Sequence, residues 1–156
     1  MKRNRLPIAT AILAVIIVAI FVFTIITYNK EMTERKNNID SIGMKLIIDN
    51  QEYPVKLSNN NTTIELLNTL PYSGSMAIYE ESFYIININK EFSLDGERVN
   101  DLEAQNIYYN PAWKSLVLVY KDYKYNKNKM VHIGSIKKNF AAKEVIEKVI
   151  ISTKKD

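Results

Sequence analysis

Ile107-Tyr108-Tyr109-Asn110-Pro111-Ala112-Trp113-Lys114-Ser115-Leu116-Val117-Leu118-Val119-Tyr120 is the stretch that decides the fold. It holds two strand-like runs, Ile107–Tyr109 and Leu116–Tyr120, joined by a tight connection that opens on Asn110-Pro111. Asn supplies a side-chain acceptor for the turn and Pro presets the backbone. Leu116-Val117-Leu118-Val119 is apolar at every position. A half-buried strand alternates, so an unbroken apolar run of this length predicts a strand covered on both faces.

The pattern on either side is also short apolar runs set between turn residues. Met44–Asp49 and Tyr53–Leu57 flank Asn50-Gln51-Glu52, which reads as a hairpin. Thr62–Leu70 reads as a short helix, with Thr62 and Glu65 at capping-box spacing, Ile64 and Leu67 as its apolar stripe and Pro71 as its stop. Gly74–Tyr79 and Ser82–Ile88 read as strands, 90–105 as a polar loop crossing one end of a barrel, and Tyr120–Lys129 as a long polar hairpin tip before the strand Met130–Ile136. The tail has two readings. Ala141, Val145 and Val149, with Ala142, Ile146 and Ile150, fit a helix capped by Asn139, whereas Val149–Thr153 fits a closing strand. Many short strands with one or two short helices predict a mainly β fold, a small closed barrel in which closure removes exposed edges. That domain spans 44–156.

The N-terminus is built differently. No charged residue occurs from Leu6 to Asn29, and about 20 apolar residues in a helix cross a ~30 Å hydrocarbon core. A cleaved signal peptide would have a shorter apolar run and a small-x-small exit, and Thr24-Ile25-Ile26-Thr27-Tyr28-Asn29 has none. Residues 6–28 are therefore read as an uncleaved signal anchor. Residues 1–5 form a basic N-terminus (Lys2, Arg3, Arg5) left in the cytoplasm, which puts the domain outside the cell on a single-pass tether. Residues 29–43 are polar and read as a stalk, with room to continue the anchor helix for two turns. The bilayer is thus the first expected partner.

Composition narrows the chemistry. The 156 residues contain Lys+Arg 21 against Asp+Glu 17, no Cys, one His and four Gly. No thiol nucleophile, disulfide, thiolate zinc site or lipidated Cys is available, and the scattered glycines build no phosphate loop. No cofactor and no metal is expected. The net charge of +4 divides into +3 for residues 1–43 and +1 for the rest. The basic excess thus records topology, and an extracytoplasmic domain argues against nucleic acid.

Tyr108-Tyr109-Asn110-Pro111-Ala112-Trp113, Leu116–Tyr123 and Ile133-Gly134-Ser135-Ile136 resemble the C-terminal half of the bacterial cyclophilin-like domain family. Leu57-Ser58-Asn59-Asn60, the 62–70 helix and the Leu70-Pro71 step are similar to its first half, so the resemblance covers roughly 44–140. It implies a cyclophilin-like β-barrel in a family whose activity is largely unassigned. Gln105-Asn106 stands where the family has Gly-Asp, and Gly134-Ser135-Ile136 replaces Gly-Arg-Ile. The Phe-His-Arg stretch of prolyl isomerases is missing, so weak prolyl isomerase or foldase activity is only the alternative to a binding role.

The candidate site residues follow. Met76, Tyr109, Trp113 and His132 are read as a groove for a peptide segment or an envelope protein, because aromatic-lined grooves suit extended peptides. His132 as a general base would need a nucleophile and an orienting partner, and no nucleophile elbow marks one, so no catalytic residue is assigned. Alternation in Met130–Ile136 turns His132 away from Val131 and Ile133, to a partly exposed or barrel-mouth position. Lys121, Lys124, Lys127 and Lys129, with Tyr123 and Tyr125, are read as a contact for headgroups or an anionic wall polymer. Glu80/Glu81 and Asp101/Glu103 read as solvated turns.

Overall fold

The computed structural model describes residues 8–37, 39–140, 142, 146 and 148–154. It divides into two units, Met1–Arg35 and Lys36–Asp156. The first is dominated by helix α1 (Ile8–Asn37). Its segment Ala11–Glu31 has a mean hydropathy of 2.9, and none of it is buried. At 1.5 Å per residue those 21 residues span about 30 Å, long and apolar enough to cross a membrane. Thr24 and Thr27 donate their hydroxyls to the carbonyls of Ile20 and Phe23, so neither needs an outside partner. The helix continues to Asn37, as the stalk sequence permits. Lys2, Arg3, Arg5 and Pro7 lie outside the described residues.

The second unit opens with one helical turn, α2 (Ile39–Ile42), whose Ile39 is buried. The strands are β1 (Met44–Ile48), β2 (Gln51–Leu57), β3 (Tyr72–Gly74), β4 (Met76–Tyr79), β5 (Phe83–Asn87), β6 (Arg98–Val99), β7 (Asp101–Leu102), β8 (Asn106–Asn110), β9 (Ser115–Val119), β10 (Tyr123–Lys124), β11 (Met130–Ile136) and β12 (Val149–Thr153). Helix α3 (Asn61–Leu67) lies between β2 and β3. The main sheet runs β3-β12-β1-β2-β11-β8-β9-β5-β4, and β6 adds to β11. Its two end strands are consecutive in the chain, separated only by Ser75, so the sheet curls into a nearly closed barrel. Tyr72 spans the seam by donating its hydroxyl to Asn87 O. Of the two readings of the tail, the strand is realised: β12 inserts between β1 and β3. Ala141 and Val145 of the helical alternative lie outside the described residues.

Local chemistry sets the register. Asp49 and Asn50 both take positive φ (49° and 61°), which gives β1 and β2 a two-residue turn, one residue earlier and shorter than expected. Between β8 and β9 the Asn110 side chain accepts from the Ala112 and Trp113 N–H groups, so the Asn-Pro connection is an Asx-type turn. Glu80 and Glu81 form the exposed turn between β4 and β5.

The two faces of β9 are both covered. Leu116 and Leu118 point into the barrel, whereas Val117 and Val119 point outward, and all four are 0% exposed. A second apolar cluster covers the outer face: Phe83, Leu102, Tyr108, Tyr125 and Met130 around Val117 and Val119, flanked by Tyr79, Trp113 and Tyr123. The segment 120–130 supplies much of it. Tyr123–Lys124 pairs with β7, and Tyr125 is buried, so the expected polar hairpin tip is instead a flap folded over the sheet. Tyr125 is buried in this cluster, and Tyr123 packs against it half-buried. Lys121, Lys124, Lys127 and Lys129 remain exposed.

Candidate functional site

The site begins with an irregularity in β11. Val131 and His132 pair with Tyr109 and Tyr108, but the next partner of Ile107 is Gly134, so Ile133 is an extra residue. This bulge puts His132 and Ser135 on the same outer face although they are three apart, where strict alternation would have separated them. Gly134 is required beside it, because a Cβ there would lie 2.4 Å from Lys56 O. The Ile133 carbonyl, freed from the β8 ladder, accepts from Ser58 N at 2.8 Å. That bond brings the end of β2 alongside His132.

Four polar side chains meet there. Ser58 Oγ lies 2.7 Å from His132 Nδ1, and His132 Nε2 lies 3.1 Å from Asn106 Oδ1. Ser135 donates its hydroxyl to the same Asn106 oxygen. Asn106 Nδ2 faces the carbonyls of Glu103 and Ala104, which fixes the amide with its oxygen toward His132. That oxygen only accepts, so Nε2 carries the proton and Nδ1 presents its lone pair to the Ser58 hydroxyl. Burial lowers the His132 pKa below the usual imidazole value, and Glu97 and Glu103 partly oppose the shift. The ring is therefore neutral at pH 7.

The backbone around it is tied down as firmly. His132 N donates to Glu97 O, and Asn60 Nδ2 donates to His132 O at 3.0 Å. Asn60 also caps α3, its Oδ1 accepting from Thr63 N at 2.8 Å. The cap is thus Asn60 and not Thr62. The Thr62 hydroxyl goes to Ser93 O, and Glu65 accepts from Ser93 N, so the expected capping-box pair instead anchors the 90–95 loop. The helix ends at Leu67, short of Leu70, where the N–H groups of Thr69 and Leu70 turn to the carbonyls of Leu66 and Leu67 three residues back.

A cleft of about 230 Å³ opens over this array, lined by Glu97, Val99, Asp101, Glu103, Asn106, Tyr108, His132 and Ser135. A second cleft of about 290 Å³ shares Asp101 and Glu103 with it and continues to Leu102, Asp122, Tyr123 and Lys124. Tyr108 forms part of the first wall, its ring 5.3 Å from the imidazole and its hydroxyl accepting from Glu103 N. Burial pushes that phenol's pKa up, so it stays protonated.

The four groove residues are split between faces. His132 opens onto the cleft. Trp113 is on the same outer side but packs against Tyr79 and Tyr125. Met76 and Tyr109 lie on the inner face, and the Tyr109 hydroxyl donates to Lys90 O and accepts from Phe92 N, holding a loop. Tyr108 and Tyr109 take opposite faces, but both are buried, at 3% and 1% exposure. Ser58, Asn106, Ser135 and Tyr108 are the residues that sequence reasoning did not assign. The available signal was Gly134, since an isolated Gly within a strand pattern marks a bulge.

A sequence model of the cyclophilin-like family matches residues 46–154, from β1 to the end of β12. The chain belongs to the cyclophilin-like family. The match reaches past residue 140, where the resemblance in sequence stops, and takes in the closing strand. No curated protein and no solved structure matches the chain. Within this cyclophilin-like barrel, Ser135 donates to the amide that orients His132.

Proposed function

We propose that this cyclophilin-like domain is a binding module held at a membrane by α1, with its N-terminus in the cytoplasm and its barrel outside the cell. The observation that carries the binding role is the pair of adjoining clefts beside His132. At about 230 Å³ and 290 Å³, each is smaller than the roughly 300–1,000 Å³ typical of small-molecule and cofactor sites. Two small pockets in a row instead suit successive side chains of an extended peptide segment. The rigid tethers on His132, Asn106 and Ser58 support this reading, since a preformed site loses less ordering entropy on binding. Exposed Lys121, Lys124, Lys127 and Lys129 support an additional contact with an anionic wall polymer or headgroups.

The test is site-specific photo-cross-linking in intact cells. A photoreactive residue at Asp101, between the two clefts, is expected to capture one envelope protein through a defined peptide. The same group at Ile47, on the outer side of β1, is expected to capture nothing in common with it. Equal capture from both positions would contradict the reading. Replacing Lys121, Lys127 and Lys129, which lie outside both clefts, by Gln is expected to leave the peptide cross-link unchanged while lowering retention on anionic wall polymer.

A further inference from the structure

Three hydroxyl-bearing or acidic groups around His132 were candidates for chemistry of their own, and only one has the required geometry. Ser135 donates to Asn106 and does not reach the imidazole. Glu97, Asp101 and Glu103 form an exposed acidic rim, and none of them bonds to the imidazole. Ser58 differs. Its Oγ is 2.7 Å from the unprotonated Nδ1, while the opposite nitrogen of the same ring donates to Asn106 Oδ1 at 3.1 Å. A hydroxyl, a neutral imidazole acceptor and an amide oxygen accepting from its far nitrogen form the arrangement that activates a serine nucleophile. The ring nitrogens are used in the reverse sense to the familiar serine-protease triad, and the proton logic is unchanged. The three residues come from distant points of the chain and meet because of the bulge at Ile133.

We propose that Ser58 is an activated nucleophile, with His132 as its general base and Asn106 as a positioning residue, and that the barrel hydrolyses a carboxylic ester. Ser58 Oγ bonds to the ester carbonyl carbon as its proton passes to His132 Nδ1. The C–O bond to the alcohol breaks, and the alcohol leaves with that proton. Water then adds to the acyl carbon and passes a proton to Nδ1; the acyl–Oγ bond breaks as Oγ takes that proton, so ester and water become acid and alcohol. The N–H of Asn59, the residue after the nucleophile, makes no hydrogen bond among the described residues and is the adjacent donor for the developing oxyanion. The proposal goes beyond the binding reading and does not depend on it.

The probe is a fluorophosphonate, which reports an activated serine without knowledge of the substrate. The full chain in detergent micelles is labelled, and the adduct is mapped by mass spectrometry. One adduct, on Ser58, is expected, with none in S58A and a rate lowered by about 100-fold in H132Q, the scale of a lost general base. The labelling rate is expected to rise with pH through the ionisation of His132. In N106D that midpoint should move upward, because a carboxylate beside the ring favours its charged form; a merely structural Asn106 would not shift it. Turnover of p-nitrophenyl acetate should follow the same order of variants. The proposal is overturned by an unlabelled Ser58 in protein whose Trp113 fluorescence is native, or by labelling of H132Q at the wild-type rate.

Discussion

Replacing Asn60 by Ala removes the residue that joins helix α3 to the His132 strand, and the cost can be worked from its contacts. Asn60 is 6% exposed and engages both ends of its amide. Its Oδ1 accepts from Thr63 N and from Thr63 Oγ1, and its Nδ2 donates to His132 O. Loss of a helix cap of this kind costs about 1 kcal/mol. Leaving a shielded carbonyl without its donor costs about 1 kcal/mol or somewhat more. Thr63 Oγ1 keeps a longer bond to Ile133 O, so its share is small. The expected total is about 2–3 kcal/mol, or roughly 10 °C in Tm for a domain of this size. Asn60→Ser retains an N-cap oxygen but cannot reach His132 O, so it should lie between wild type and Asn60→Ala. The assay is urea unfolding of the full chain in nonionic micelles. Trp113, the single tryptophan, reports the barrel because it packs against Tyr79 and Phe83. A loss below about 0.5 kcal/mol in Asn60→Ala, under the range for an N-cap, would refute the reasoning. So would identical stabilities for the Ala and Ser variants.

Gly134→Ala places a methyl group against Lys56 O, which is backbone and cannot rotate away, so the variant should lose soluble, folded protein or unfold at clearly lower urea. Stability should also depend on pH through His132. Its pKa is lower folded than unfolded, so the unfolded chain takes up the proton first, and stability falls as pH drops below the ordinary value of about 6.5. Stability should level off below the lowered folded pKa, and His132→Gln should flatten that part of the unfolding profile. Proline isomerisation of a standard peptide should not be accelerated above background, since no Phe-His-Arg stretch is present. Protease added to intact protoplasts should remove the barrel, and full protection would reverse the proposed orientation.

Much of the fold is legible in residues 107–120. An unbroken Leu-Val-Leu-Val run requires two covered faces, and the barrel interior and the outer cluster are those two covers. The apolar N-terminal helix was legible for the same reason, because its length and composition decide it alone. The turn and helix boundaries were less so. Asp49-Asn50 both adopt positive φ, which Asn and Asp allow without requiring it. Asn60 and Thr62 are both cap-forming by type, and the distant partner Ser93 assigns Thr62 elsewhere. The His132 array was hidden for a stronger reason. Period-two alternation puts His132 and Gly134 on one face, whereas the bulge puts His132 with Ser135 and brings in Ser58, 74 residues away in sequence. The tyrosines of 120–130 illustrate the same limit. Among seven polar residues they look like surface, yet the open outer face of β9 draws Tyr125 inward.

The most direct measurement is the nitrogen NMR spectrum of the full chain labelled at histidine, in micelles at neutral pH. The chain has one histidine, so the spectrum has one source. The account expects a single neutral tautomer, with a pyrrole-like Nε2 bonded to Asn106 and a pyridine-like Nδ1 facing Ser58. Asn106→Leu should release that preference and leave the two tautomers mixed. A wild-type ring protonated at Nδ1, or already averaging between both forms, would contradict the ordered array at the centre of the site.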